Sequence, residues 1–458
     1  VVFLAGFVGF GIWQSRYNRS AEDYFLGRRK IPWVVAMFSI VATETSVLTF
    51  VSVPGLAYRG DWFFLQLALG YILGRILVAV FLLPQYYTSG VTSIYEVLGT
   101  RFGPAVQKCA SALFLLTRVL ADSVRFLCTA VVIQAVTGWS LTAAVLLIGL
   151  VTLTYTLIGG IRTVLWVDSF QFLLYLFTAV LTIAACIIAL NASVFELLGD
   201  LLEAGKLKVF HFSGNVLFDS TLAVSGVLGG LFLSFASHGA DHMMVQRALA
   251  CRDLRSARWA MVGSGLFVFL QFGLFLLVGS MLYLLFSGEE LEIDREYATF
   301  INLNFLHSGL KGLVVAGVLS AAMSTLSSSI NALASSTIMD WMKKDRSLKR
   351  SWVVSIFWAA VLITVALVFD ESDEALVIVG IQIASITYGG LLGLFLLSRW
   401  KRKFRTASLI TGLIGSLVVV VIIWQCGVAW TWFVVAGTAT NLMMAYATDF
   451  ILDSHGKK

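Results

Sequence analysis

The sequence predicts an all-α, polytopic membrane protein of about thirteen transmembrane helices, and three observations carry that prediction. Of 458 residues, 59% are hydrophobic and 13% charged, where soluble domains carry about 25% charged residues. Apolar runs approaching or exceeding the roughly 20 residues needed to cross a bilayer recur along the whole chain. Lysines and arginines gather in alternate connections between those runs, the bias that orients membrane segments. Only four prolines and no Gly/Ser-rich linker interrupt the pattern, so residues 1–458 read as a single membrane domain. The net charge of +6 is scattered over short loops; it marks topology and gives no nucleic-acid surface.

Taken in order, the apolar segments run over 1–14, 32–57, 61–88, 104–136, 139–158, 163–190, 220–247, 258–287, 308–341, 351–369, 374–398, 407–426 and 430–452. With the N-terminus outside, the inside connections collect Arg16 to Lys30, Arg101 and Lys108, Arg162, Arg247 to Arg258, Lys343 to Arg350, Arg399 to Arg405, and Lys457 with Lys458. That is most of the 32 basic residues. The outside connections are poor in them and turn acidic at Glu289 to Glu296 and at Asp370 to Glu374. One missed span would reverse the alternation from that point on, and it never reverses. A cytoplasmic C-terminus follows. The start at Val1, inside an apolar run and without methionine, reads as a trimmed N-terminus. Five cysteines without a CxxC pair read as free thiols.

Polar residues then single out a few of these segments. Segment 32–57 is interrupted by Ala42, Thr43, Glu44, Thr45 and Ser46, then Thr49. Segment 220–247 is interrupted by Ser234, Ser237, His238, Asp241 and His242. The two lie five segments apart, so they occupy matching places in two five-helix halves of opposite topology. Paired broken spans of that kind point to the central site of a secondary transporter; the plainer reading is a polar helix end near the interface. Segment 308–341 holds GVLSAAMSTLSSSINALASSTIMD over Gly317 to Asp340. Residues three and four apart share a helix face, so Ala321, Ser324, Thr325 and Ser328 form one stripe with Ser327 on its flank. Hydroxyl and carbonyl oxygens suit a hard cation, while small residues also serve close helix packing.

Buried charges complete the set. Arg75, Arg118, Asp122 and Arg125 fall inside spans, where ionisable groups pair or face a polar cavity. Asp122 can pair with Arg118 or Arg125 along its own helix, or an arginine can meet an anionic or hydroxyl-rich solute. Asp168 is placed near a helix N-terminus, which favours a carboxylate; a second ion or an arginine such as Arg162 would neutralise it. Gly70 and Gly74, Gly226 and Gly230, and Gly389 and Gly393 are small-xxx-small packing pairs. His238 and His242, four apart, lack the further ligands a metal site needs. No HExxH, P-loop or GxSxG pattern appears, so an enzyme is not expected.

Five stretches, in this order, are similar to the sodium/solute symporter family: Ser20 to Trp33 (SAEDYFLGRRKIPW), Thr92 to Phe102 (TSIYEVLGTRF), Tyr155 to Gln171 (YTLIGGIRTVLWVDSFQ), His238 to Arg247 (HGADHMMVQR) and the serine stretch. The resemblance implies the LeuT-type fold. Residues 32–190 and 220–398 would be inverted five-helix repeats, with an extra helix at 1–14 and two more at 407–452. It implies sodium-driven transport across a cell membrane by alternating access, with a monomer sufficient. Carried over by position, the shared sodium site falls on Ala42, Thr45, Ala321, Ser324 and Thr325. A second sodium site falls on Asp168, Ser324, Ser327 and Ser328. The solute pocket falls on Glu44, Ser46, Thr49, Gln66, Ser237, His238 and Gln382, which Asp122 and Arg125 join from the buried-charge argument. The solute expected is a sugar or a sugar acid such as sialic acid, with a monocarboxylate or an amino acid as the alternative. Other readings of the same module are a non-transporting solute sensor and a passive channel.

Overall fold

The computed structural model describes residues 2–455 apart from 16, 17, 19, 293–295, 297, 298, 301–307, 343–346 and 369–375. Arg16, Arg19, Arg295, Lys343, Lys344, Arg346, Lys457 and Lys458, and the acidic run from Asp370, lie outside the described residues. Helix α1 (Val2–Ser15) packs on the long α9. A short α2 (Ala21–Leu26) is opened by the Ser20 hydroxyl, which accepts from the Asp23 amide, and closed by Gly27 at φ +57°, a conformation that costs glycine nothing. Helices α3 (Trp33–Glu44) and α4 (Val47–Arg59) form one bent pair, with 60° between their axes. Next come α5 (Phe64–Leu77), a π-turn at Val78–Leu82, α6 (Leu83–Ser89), α7 (Tyr95–Phe102) and α8 (Pro104–Thr137).

Helix α9 (Leu141–Leu190) is a 50-residue run where the sequence predicts two segments. Both readings meet at Gly160, whose φ of +62° and ψ of −167° break the run into two arms. A Cβ there would lie 2.8 Å from the Tyr24 ring, so both conformation and space require glycine. Helix α10 (Val194–Glu203) carries a Ser193/Glu196 capping box. Helices α11 (Ala223–Gly239) and α12 (His242–Leu249) form the second bent pair, at 63°. The Asp241 carboxylate restarts the helix by accepting from the Met243 amide at 2.8 Å. The remainder is α13 (Leu254–Leu285), α14 (Ser308–Ser336) with a π-turn at Thr337–Trp341, α15 (Leu348–Val368), α16 (Leu376–Ser398), α17 (Thr406–Gln425) and α18 (Phe433–His455).

Among the described residues seven helices are long and apolar enough to cross a membrane, and nine if each bent pair counts as one span. No strand occurs among them, only two isolated bridges. The serine-rich α14 is the most enclosed of the spanning helices and packs on α9, α8 and α3. Each predicted glycine pair lies at a close crossing. An added Cβ on Gly70 would sit 2.2 Å from the Val227 carbonyl oxygen, and one on Gly230 2.2 Å from that of Leu67. Backbone thus touches backbone where α5 meets α11. On α16, Gly389 likewise meets the α18 backbone at Gly437, while Gly393 makes room for the Asn441 side chain.

Gly230→Ala and Gly70→Ala are expected to lower stability by about 1–3 kcal/mol through overpacking, seen as a lower melting temperature in detergent. Gly199→Ala on α10, where an added Cβ meets nothing within 4 Å, is the control. It should be neutral or slightly stabilising, since alanine suits a helix better.

Candidate functional site

The bend between α3 and α4 is made by two residues, Thr45 and Ser46. In a continuous helix the Ser46 amide would close on the Ala42 carbonyl. Here it bonds the Glu44 carbonyl at 3.1 Å, and the Thr49 amide bonds the Ser46 carbonyl rather than that of Thr45. The carbonyls of Ala42 and Thr45 are thereby released from the helical ladder at the negative end of α3, where a cation is favoured. The Thr45 hydroxyl is held by the side-chain amide of Gln271 on α13, with contacts of 2.9 and 2.7 Å. Ala321, Ser324 and Thr325 of α14 are buried, and the Thr325 hydroxyl donates back to the Ala321 carbonyl at 3.3 Å.

Three elements converge on Asp168, in the second arm of α9. Its fully buried carboxylate accepts from the hydroxyls of Ser39 on α3 at 2.7 Å and Ser324 on α14 at 2.8 Å. Thr43 and Ser328 stand at 3.5 Å from it and 3.2 Å from each other. Asp168, Ser324 and Ser328 are therefore brought together as expected, whereas the Ser327 hydroxyl turns to its own helix and donates to the Ser324 carbonyl. The nearest positive group to Asp168 is Arg247 of α12, at 3.7 Å, and not Arg162. The sequence reading of Arg247 as a loop charge is corrected here. It is fully buried, held by hydroxyls of Ser39 and Ser328 and the Met243 carbonyl. The donors at both predicted ion positions are hydroxyls, carbonyls and one carboxylate, a set that suits a small hard cation.

Beside this centre lies a cavity floored by both bent pairs. Glu44, Ser46 and Thr49 line it from the first break, Ser237 and His238 from the end of α11, and Arg118 and Arg125 from α8. Phe64 and Tyr71 of α5, Leu233 of α11, Met244 of α12, Phe272 of α13, and Ile381, Ala384 and Tyr388 of α16 also line it. Gln66 and Gln382, expected here, are not among the lining residues. The Gln66 amide instead ties α5 to the approach to α11, donating to Thr221 at 2.7 Å. On α16 the lining face is the 381, 384, 388 stripe, and position 382 falls off it. Asp122 lines a smaller cavity that shares Ser46 and Arg125 with the first and reaches Thr325.

The charges around the cavity balance. Glu44 is ion-paired with Arg75 of α5, which also donates to Ser264. Arg118 lies between Asp122 at 3.3 Å and Asp241 at 3.1 Å and also donates to the Tyr388 hydroxyl. Tyr388 donates in turn to Asp241. Arg125 stands 3.6 Å from Asp122, and its Nε and Nη1 make no hydrogen bond; neither does Nε2 of His238, 3.7 Å from Glu44. Those donors are the groups a polar solute can satisfy. His238 and His242 have separate partners, Ser237 and Ser335. Sequence reasoning missed Tyr71, Tyr388 and Gln271 as site residues. Only Gln271, a lone amide in an apolar span, carried a usable signal.

A model of the sodium:solute symporter family matches residues 24–415. The human sodium/iodide cotransporter is 28% identical over 435 residues, 89% of this chain and 66% of that protein. Human sodium-coupled monocarboxylate transporter 1 is 28% identical over 83% of this chain and 64% of its own length. The chain thus spans just under two thirds of these two relatives. The sodium/sialic acid symporter SiaT of Proteus mirabilis is 26% identical, over 98% of this chain and 95% of that one. Among solved structures, a Na+-coupled sialic acid symporter in a substrate-bound outward-open state superposes with a TM-score of 0.88 at 23% identity, covering 98% of this chain and 96% of that one. Mhp1, a nucleobase-cation-symport-1 family transporter, superposes at 0.59 with 13% identity, over 93% and 94%. The fold is the LeuT type expected from the sequence.

Removing one partner of a buried ion pair strands the other charge at a cost of about 3–5 kcal/mol. Arg75→Met should therefore destabilise strongly through unpaired Glu44. Glu44→Gln combined with Arg75→Met should recover much of the loss, as judged by melting temperatures in detergent.

Proposed function

As the chain belongs to the sodium:solute symporter family, we propose that it is a sodium-driven symporter of a small polar organic solute, working by alternating access. The observation that carries this reading is that both bent pairs, at 60° and 63°, border one cavity, while α3 of the first pair also supplies Ser39 and Thr43 to the oxygen-rich centre at Asp168. Broken spans at the bilayer midplane are where transporters place substrate and coupling ions. We propose the solute to be a sugar or a sugar acid such as sialic acid. Sodium-coupled relatives of that name align along nearly the full chain, and unpartnered arginine nitrogens suit a carboxylate. In this reading one sodium binds at Ala42, Thr45, Ala321, Ser324 and Thr325, and a second at Asp168 with Ser324, Ser327 and Ser328. Glu44, Ser46, Thr49, Arg125, Ser237 and His238 contact the solute.

The reading extends to thirteen spans with the N-terminus outside and the C-terminus cytoplasmic, and inverted repeats at 32–190 and 220–398. A monomer suffices, because the cavity and the oxygen-rich centre are built from one chain. Sodium shifts the conformational balance only by binding one state better than the other. Each sodium moved inward gains about 2.3 kcal/mol per 100 mV, so two ions concentrate a neutral solute far beyond what one can.

Ser324→Ala removes a hydroxyl shared by both ion positions, and Thr325→Ala removes one at the first. Each variant should raise the half-saturating sodium concentration for solute uptake into proteoliposomes while the protein still folds. Unchanged sodium affinity in both would overturn the site. For the solute, Arg125→Ala should abolish sialic acid binding in sodium while leaving sodium-dependent stabilisation intact. Reversal potentials should give a coupling ratio of about two for the wild type and about one for Asp168→Asn; a wild-type ratio of one would remove the second ion.

A further inference from the structure

Asp168 is already partly neutralised by a group of the chain itself. Arg247 is the only cationic side chain within 4.0 Å of it among the described residues, and both are fully buried. The contact is loose. At 3.7 Å it exceeds hydrogen-bond length, and the forked geometry of a strong arginine–carboxylate pair is absent. The closer bonds of Arg247 go to Ser328 and Ser39, the same hydroxyls that surround the Asp168 carboxylate. The guanidinium thus stands among the oxygens that would hold a cation beside Asp168. Two positive charges on one buried carboxylate, separated by a few ångströms, repel strongly in a medium of low dielectric constant.

We propose that Arg247 is a tethered counter-cation of the Asp168 centre, and that a sodium ion binding there displaces it. This rests on the sodium-coupled reading above and adds a consequence for movement. Arg247 lies on α12, the arm beyond the second helix break. Its bonds to Ser39 and Ser328 pin that arm to α3 and α14. Other ties of α12, among them His242 to Ser335 at 3.0 Å, Gln246 to Asn331 and to the Phe25 carbonyl, the Met243 sulfur to Ser329 and Arg118, and the Tyr87 hydroxyl to the Ala248 carbonyl, do not involve the Asp168 carboxylate. Exchanging guanidinium for sodium therefore releases one anchor of α12 and leaves the others in place. Occupancy of an ion position becomes a change in how one arm of the broken helix is held.

The test measures sodium-dependent stabilisation of the purified full chain, by melting temperature in a titration of sodium against choline. With the competing cation removed, Arg247→Gln should lower the half-saturating sodium concentration by about tenfold, within the range usual for coupled sites. It should also make folding sodium-dependent, since Asp168 is left without a counter-charge. Arg247→Lys, which keeps a tethered charge, should stay near the wild-type midpoint. Asp168→Asn combined with Arg247→Gln should fold in choline and lose the high-affinity response. A wild type that responds to sodium with the same or a higher midpoint in Arg247→Gln would overturn the displacement alone. So would an Arg247→Gln protein that fails to fold even in high sodium, because sodium would then not replace the guanidinium. If neither wild type nor any variant distinguishes sodium from choline, the sodium-coupled reading itself falls, and this inference with it.

Discussion

The constraint on which the structure depends is the cost of leaving charge and backbone unsatisfied away from water. Inside a bilayer an ionisable side chain must pair or face a polar cavity, and a break in a helix frees backbone groups that need new partners. Both demands are met at one level of this molecule. The breaks at Thr45–Ser46 and Ala240–Asp241 lie beside the buried charges Glu44, Arg75, Arg118, Asp122 and Asp241, each within 4.0 Å of an opposite charge. Asp241 serves twice, capping α12 and accepting an ion pair from Arg118. The polar residues of the helix breaks and the buried ion pairs are one structure.

Much of this is legible in the sequence because membrane helices announce themselves by length and apolarity. The predicted segments all fall on helices, and both interruptions coincide with real bends. The stripe of Ser324 and Ser328 meets Asp168 as helical spacing requires. What failed was register and partner choice. Gln66 and Gln382 were placed near the cavity on the right helices. Which face turns inward, however, is decided by neighbours such as the glycine crossing between α5 and α11, which a single sequence does not reveal. Arg247 was misread for a related reason. In sequence it heads a basic run, and only the fold shows that its first member is buried in the core while Arg252 in the following loop and Arg255 in the first turn of α13 are exposed.

Charge balance around the cavity has a consequence for recognition. Glu44, Asp122 and Asp241 offset Arg75, Arg118 and Arg125, so these six side chains sum to no net charge. Their arrangement is uneven, however. Arg75 and Arg118 are firmly engaged, while Arg125 is held only at 3.6 Å and keeps two nitrogens without hydrogen-bond partners. A solute with an oxyanion or several hydroxyls offers partners to the one loosely bound arginine without breaking the firm pairs. Aromatic walls from Tyr71, Phe272 and Tyr388 would bury its apolar faces.

The same loosely held arginine connects the cavity to α14. Arg125 faces Asp122, and Asp122 accepts from Ser329 on α14 at 2.5 Å. Ser329 follows Ser328 directly, and Ser328 stands at the Asp168 centre. The smaller cavity, bordered by Ser46, Arg125 and Thr325, lies between the two regions. A solute drawing Arg125 toward itself alters the surroundings of Asp122, and with them the hydrogen bond that Ser329 makes from α14. In the proposed cycle, solute and sodium therefore act on adjacent residues of the same helix, the solute through Arg125 and Asp122 on Ser329 and sodium on Ser328. A short contact path of this kind carries coupling where both ends bias one two-state element, and in the proposed cycle that element is the hold of α14 on its neighbours.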